Sequence, residues 1–324
     1  MAVSSLSITL SLILGVICVS SLLLNFTVIG TILLGGFASK KKGHIIYVLA
    51  LTTLIGDVFQ VTLTLCYLVP SAFAQDFLIN KEVVKFLSFL FLTQWYQAMI
   101  TQILTTASRL ITLVFPHLNY LFTRKKTIIY CVSVVPVSLL LSVISNYIVP
   151  CCTPYIFYGT YSYAYLDLTE NAFNYSEKYI DLELNGFTSA FSIVSYMIIF
   201  IQIHRNNKQV SKNLSSGNQV MRSRREIAYT VQFALLSCFT LFSWVTFHYF
   251  PLVVPEGVLA IFSATAYLHM FHCTATAICL FFMNREIGPF ARKIWRKGPF
   301  TRITSVAYLS GNYTSGQNPS RSLP

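Results

Sequence analysis

The chain has 324 residues, 55% of them hydrophobic and only 10% charged, with a formal net charge of +12. Soluble domains carry roughly 25% charged residues, so the composition excludes an ordinary water-soluble domain. The basic residues border apolar runs without interleaved stacking aromatics, which excludes a nucleic-acid binder, and the runs are continuous rather than alternating, which excludes a transmembrane β-barrel.

Crossing about 30 Å of hydrocarbon takes an α-helix of roughly 20 residues. Seven runs reach that length, at about residues 7–38, 45–69, 83–115, 128–149, 185–203, 227–250 and 257–283. The predicted fold is an all-α membrane protein, one seven-transmembrane helix bundle over residues 1–298. Residues 299–324 are rich in Ser, Thr, Gly and Asn, have little to bury, and are predicted to form a disordered cytoplasmic tail. No basic residue precedes the first run, which outlasts the apolar stretch of a signal peptide, so it counts as span 1.

Span 1 carries Asn25, and span 2 carries Asp57, the one acid deep inside a span. A carboxylate at that depth is costly unless it faces the bundle interior. Asp57 is therefore expected to point inward, either as an ion or water site that reorganises between conformations or as a hydrogen-bonded structural acid. Asn25, at comparable depth, is expected to bond across to span 2 or span 7 and hold that network together.

Loop charges set the orientation, because Lys and Arg are retained on the cytoplasmic side of short loops. Nearly all 23 basic residues lie at one set of ends, among them Lys40–Lys42, Arg109, Arg124–Lys126, Arg222, Arg224 and Arg225. Most acids lie at the other, including Asp76, Glu82, Asp167, Glu177, Asp181 and Glu256. The N-terminus is thus expected outside and the C-terminus inside, with membrane lipids as partners of the basic face. On the outer side, Asn174-Tyr-Ser176 is a glycosylation acceptor between spans 4 and 5. Cys151 and Cys152 open the same segment, where a disulfide is permitted, and Cys66 near the outer end of span 2 is the nearest candidate partner.

No group of residues has metal-ligand spacing; His269 and His272, three apart in span 7, fit core or pocket histidines better. No cofactor is implied and no catalytic cluster repeats near one face, so no enzyme is expected. After Asn284, Phe290 and Ile294 fall on one side of a short helix and Arg292, Lys293, Arg296 and Lys297 fill much of the rest. That pattern predicts an amphipathic helix along the inner leaflet.

Arg109 near the inner end of span 3, with Pro116 seven residues on, resembles the D-R-Y…P segment of rhodopsin-like G-protein-coupled receptors. Ser108 replaces that family's acid, and Thr246 replaces the proline two residues beyond the span 6 tryptophan, Trp244. Glu226 stands eighteen residues before Trp244, as the acid facing the arginine does in that family. A closer resemblance is to the nematode serpentine chemoreceptors, class x. It rests on Ser108-Arg109 with Phe115-Pro116 and Tyr120-Leu-Phe-Thr123, Cys152 followed by the aromatic string Tyr155 to Tyr165, Arg225-Glu-Ile with Gln232, and His272 followed by Phe282-Met-Asn-Arg-Glu-Ile287.

The resemblance implies a chemosensory receptor for signal transduction in the plasma membrane, in a sensory cilium in some cells. A small-molecule ligand would bind among the outer halves of the helices, and a heterotrimeric G protein would bind inside. Arg109, Glu226, Pro116 and Tyr120 would form the switch and coupling surface, an Arg109–Glu226 ion pair favouring the closed state. Phe91, Gln94, Trp95, Tyr96, Trp244, His248 and Tyr267 are the candidate pocket. Phe91 stands where amine receptors carry an acid, and span 7 has no lysine for retinal. These two absences disfavour an amine receptor and an opsin and suit a small, apolar or weakly acidic cue. The alternative class, a transporter or ligand-gated channel, would ordinarily show half-repeats or several intramembrane charges, and Asp57 stands nearly alone here.

Overall fold

The computed structural model describes residues 4–39, 45–149, 154–165, 173–212, 217–253, 259–284 and 286–297. Among these residues seven helices are long and apolar enough to cross a membrane: α1 (Ser5–Leu34), α2 (Ile45–Ala74), α3 (Lys81–Val114), α4 (Arg124–Ile148), α5 (Glu177–Arg205), α6, whose apolar part is Thr230–Phe250, and α7 (Ala260–Met283). The helix of α6 itself runs Gly217–Val253, and a short α8 (Ile287–Lys297) follows α7. The predicted spans are all present, but α5 begins at Glu177 rather than near 185.

The side chains sort inside out, as a lipid solvent dictates. Leu12, Val16, Leu23 and Phe26 of α1 are exposed, whereas Ser7, Ser11, Ser21 and Asn25 on its other face are buried. Lipid tails are as apolar as leucine, so helices associate through small and polar residues that allow close approach and hydrogen bonds. Spare hydroxyls return to the carbonyl a turn back, as Thr27 does to Leu23 at 2.7 Å and Thr31 to Thr27 at 2.7 Å, which satisfies these donors within their own helix. α3 runs through the centre against α2, α4 and α5, while α1 packs on α2 and α7, and α6 on α5 and α7.

One departure from all-α is a two-stranded antiparallel hairpin, β1 (Pro154–Phe157) and β2 (Ser162–Tyr165), between α4 and α5. Its turn places Tyr161 at a left-handed φ of 55°. The hairpin packs into the bundle end that holds Ser7 and Lys81, so the molecule has a hairpin end and, opposite it, a basic end. A buried apolar cluster lies at each, one around Leu68, Phe91, Ile156 and Tyr163, the other around Val28, Tyr47, Leu54 and Phe233.

α8 docks where the sequence places it, capped by Asn284 Oδ1, which accepts from the Glu286 and Ile287 amides at 2.9 and 3.0 Å. Tyr47 donates to Glu286 at 2.7 Å, and Phe290 meets Phe37 edge-on at 5.5 Å. Cys151, Cys152 and the tail over 299–324 lie outside the described residues. Cys66 is exposed on α2.

Candidate functional site

Beneath the hairpin is a cavity of about 470 Å³ walled by α3, α5, α6 and α7. Its roof follows from strand geometry. Residues paired across an antiparallel ladder share a face, so Pro154 opposite Tyr165 and Ile156 opposite Tyr163 turn the same way. Pro154, Tyr163 and Tyr165 all line the cavity. The roof is pinned to four helices of the bundle. The Ile156 amide donates to Ser88 of α3 at 3.0 Å, Tyr163 and Thr64 of α2 share a 2.5 Å hydrogen bond, Tyr161 meets Ser7 of α1 at 2.6 Å, and Ser162 bonds Thr265 of α7.

The walls are aromatic, with Phe91 and Trp95 from α3 and Phe247 from α6, and Phe91 stacks on Tyr163 at 3.8 Å. One wall residue is an acid. Asp181 is 4% exposed, accepts from Trp95 Nε1 at 3.2 Å and from Asn185 Nδ2 at 2.9 Å, and also accepts from the Tyr165 hydroxyl. A π turn over Glu177–Asp181 opens α5, and such one-residue insertions re-aim side chains at functional sites. Burial holds the Tyr163 and Tyr165 phenols well above their ordinary pKa, and for Tyr165 the adjoining Asp181 carboxylate adds to it. Both are therefore neutral hydrogen-bonding groups at physiological pH.

The cavity floor is Trp95 with His269, rings 5.4 Å apart. His269 Nε2 pairs with Gln60 Nε2 of α2 at 3.1 Å. One turn on, His272 approaches Thr240 of α6 at 3.4 Å and lines a second cavity of about 530 Å³, with Gln102, Thr106, Tyr196, Phe233 and Thr276. Spacing of three puts both histidines on one face of α7, each facing a different cavity.

At the basic end, Arg109 is buried with its guanidinium 5.1 Å from the Phe233 ring centre. Pro116 starts a 3-10 segment, Pro116–Phe122, in which Tyr120 is exposed beneath Lys126. Glu226 lies on the α6 helix, but its side chain is outside the described residues. Asn25 and Asp57 are both buried against α7. Asn25 Nδ2 donates to the Cys273 carbonyl at 3.3 Å and Asp57 accepts from Thr276, one turn further along.

The structure redistributes the predicted pocket. Phe91 and Trp95 line the cavity. Gln94 does not: it faces α2, where a β-carbon on Gly56 would stand 1.9 Å from its Nε2. Tyr96 points to α4 and donates to Ser145 at 3.3 Å, and Tyr267 points to α1 and donates to the Leu10 carbonyl at 3.0 Å. Trp244 stacks on His248, which contacts Glu177 at 3.0 Å on the flank of the cavity. Helical periodicity separates these residues, since neighbours in sequence leave a helix in different directions. Asn174 caps the start of α5, its Oδ1 accepting from the Glu177 backbone amide at 3.0 Å. Asp181 and the hairpin tyrosines were missed; a carboxylate five residues after a glycosylation tripeptide reads as loop until its burial is known. The Gly56 contact is testable: Gly56→Ala should lower stability by about 1–3 kcal/mol, and Gln94→Ala in the same chain should recover most of it. Equal melting temperatures for the single and double variants would refute the contact.

Seven apolar helices among the described residues, around two interior cavities of which one is roofed by a hairpin, define a multi-pass membrane protein. Residues 12–283 match the family described as serpentine type 7TM GPCR chemoreceptor Srx, and the chain belongs to that family. It is a member of a chemoreceptor family rather than of an enzyme class. No curated protein matches the chain significantly in sequence.

Proposed function

We propose that the protein is a plasma-membrane chemosensory receptor, in some cells ciliary, that binds a small external cue under its hairpin and activates a heterotrimeric G protein at its basic end. The hairpin end then faces outward and the N-terminus is outside, in line with the basic residues at the opposite ends. One observation carries the reading. Trp95, His269 and His272 form a thin polar and aromatic wall between the outer cavity and an inner cavity that reaches Tyr196 and Phe233 beside Arg109.

A ligand shifts a conformational equilibrium only through its differential affinity for the two states. Occupancy under the hairpin presses on Ser243 and Phe247 of α6 and on His269 of α7, whose neighbour His272 touches α6 again at Thr240. Movement of α6 carries Phe233 away from Arg109 and exposes the guanidinium to a partner. Asn25 and Asp57 tie α1 and α2 to α7 at mid-depth, so they hold the fixed side against which α6 moves.

The test is nucleotide exchange on G proteins in membranes expressing the chain, with volatile and secreted small molecules as cues. Ligand-dependent exchange that disappears in Ser243→Phe, at equal surface expression, supports the reading. Ligand-gated current or flux without G protein would overturn it in favour of a channel or transporter. In the same assay Glu226→Gln should raise basal exchange severalfold by removing the acid proposed to restrain Arg109. Unchanged basal exchange would remove that restraint from the mechanism.

A further inference from the structure

The geometry points to a small organic ammonium ion, with an apolar body, as the chemical class of cue, its nitrogen paired with Asp181. The inference rests on the outer cavity being the ligand site. Phe91 removed the acid expected of an amine receptor from α3, but the tertiary fold returns one from α5 into the same cavity.

Three features support the assignment. The first is a buried acid whose described hydrogen-bond partners are all uncharged. Among the described residues, the groups meeting Asp181 are the neutral donors Trp95, Asn185 and Tyr165, and the nearest other charge acting on it is a second acid, Glu177. A carboxylate so deeply buried is unfavourable without a cation, and a bound ammonium supplies it. The second is the lining. Phe91, Trp95, Tyr163, Tyr165 and Phe247 line the same cavity as the acid, and ring faces attract ammonium ions within about 6 Å.

The third feature is what the cavity lacks. Among the described residues no lysine or arginine lines it, and its histidine, His269, already shares a hydrogen bond with Gln60. An acidic cue would meet Asp181 with nothing to pair against. The three neutral donors occupy three of the roughly four acceptor sites of the carboxylate and leave one for the ligand, while fixing the orientation of the group. Glu177, one turn before Asp181 on α5, contacts His248 of α6 at 3.0 Å.

The experiment uses the full-length receptor in lipid nanodiscs and two matched probe series: phenethylamine, phenethyl alcohol and phenylacetate, then hexylamine, hexanol and hexanoate. Binding is followed by calorimetry and by thermal stabilisation up to millimolar concentration. The amines should bind at least about tenfold more tightly than their alcohols and carboxylates. Asp181→Asn should weaken the amines by at least about thirtyfold, as expected for removing one partner of a buried charge pair, and leave the alcohols unchanged. Asp181→Glu should keep the preference for amines. Ser243→Phe, which puts a ring into the cavity, should abolish binding throughout.

Binding of the alcohols or carboxylates as tight as the amines, or amine binding indifferent to Asp181→Asn, overturns the ammonium assignment. If that binding is still lost in Ser243→Phe, the cavity reading survives alone. Binding that persists in Ser243→Phe overturns the cavity reading itself. Folded receptor that binds no amine overturns the assignment as well. If Asp181→Asn does not fold, the wild-type comparison across each series decides the matter.

Discussion

Tyr163→Ala is expected to destabilise the receptor by about 3–5 kcal/mol, the range for deleting a buried aromatic ring, and to abolish its response to any cue. Tyr163 is 4% exposed, stacks on Phe91 at 3.8 Å and meets His269 edge-on at 5.5 Å. Its ring is roof, wall and support at once. Its hydroxyl is a smaller contributor. Tyr163→Phe leaves Thr64, which still donates to the Gln60 carbonyl at 3.1 Å, so about 1 kcal/mol should be lost. Melting of the purified variants in one detergent measures both effects. A Tyr163→Ala receptor that melts with the wild type would show that the hairpin does not depend on this contact.

Arg109→Ala is expected to lower G-protein nucleotide exchange at least tenfold, about 1.4 kcal/mol of coupling, at unchanged surface expression. The side chain is buried between helices rather than extended along lipid, with its guanidinium 5.1 Å from the Phe233 ring centre. A planar, weakly hydrated guanidinium can stack there and later offer several donors to a partner; a lysine ammonium is compact and strongly hydrated. Arg109→Lys should therefore restore less than half of the lost exchange, and Phe233→Leu should raise basal exchange by loosening the resting contact. Full recovery by lysine would reduce Arg109 to a positive charge at the membrane surface.

The two residues behind these predictions differ in how legible they were. Arg109 stood out in the sequence because a charge in an apolar run, with Pro116 at a recognisable spacing, is rare. Tyr163 sat in an aromatic string that gave no strand signal. Strands with one wet face alternate apolar and polar residues, but Tyr155, Ile156, Tyr161 and Tyr163 are all buried between the hairpin and the helices. Asp181 was hidden for a related reason. Four charges between Glu177 and Glu183 lower the local hydropathy, so the apolar run begins later than the helix does.

The sequence by itself determined the solvent, the number of spans, the clustering of basic residues at one set of ends and the short amphipathic helix after α7. These are properties of composition and of periods within single helices, set by the thickness of hydrocarbon and the cost of burying charge. Only the tertiary structure decided which face of each helix looks inward, and therefore that Gln94, Tyr96 and Tyr267 serve packing while Asp181, Tyr165 and His269 meet in one cavity. In a lipid solvent the apolar residues are not driven to the core. The inward face is chosen by close packing and hydrogen bonds between residues far apart in the chain, which no local pattern records.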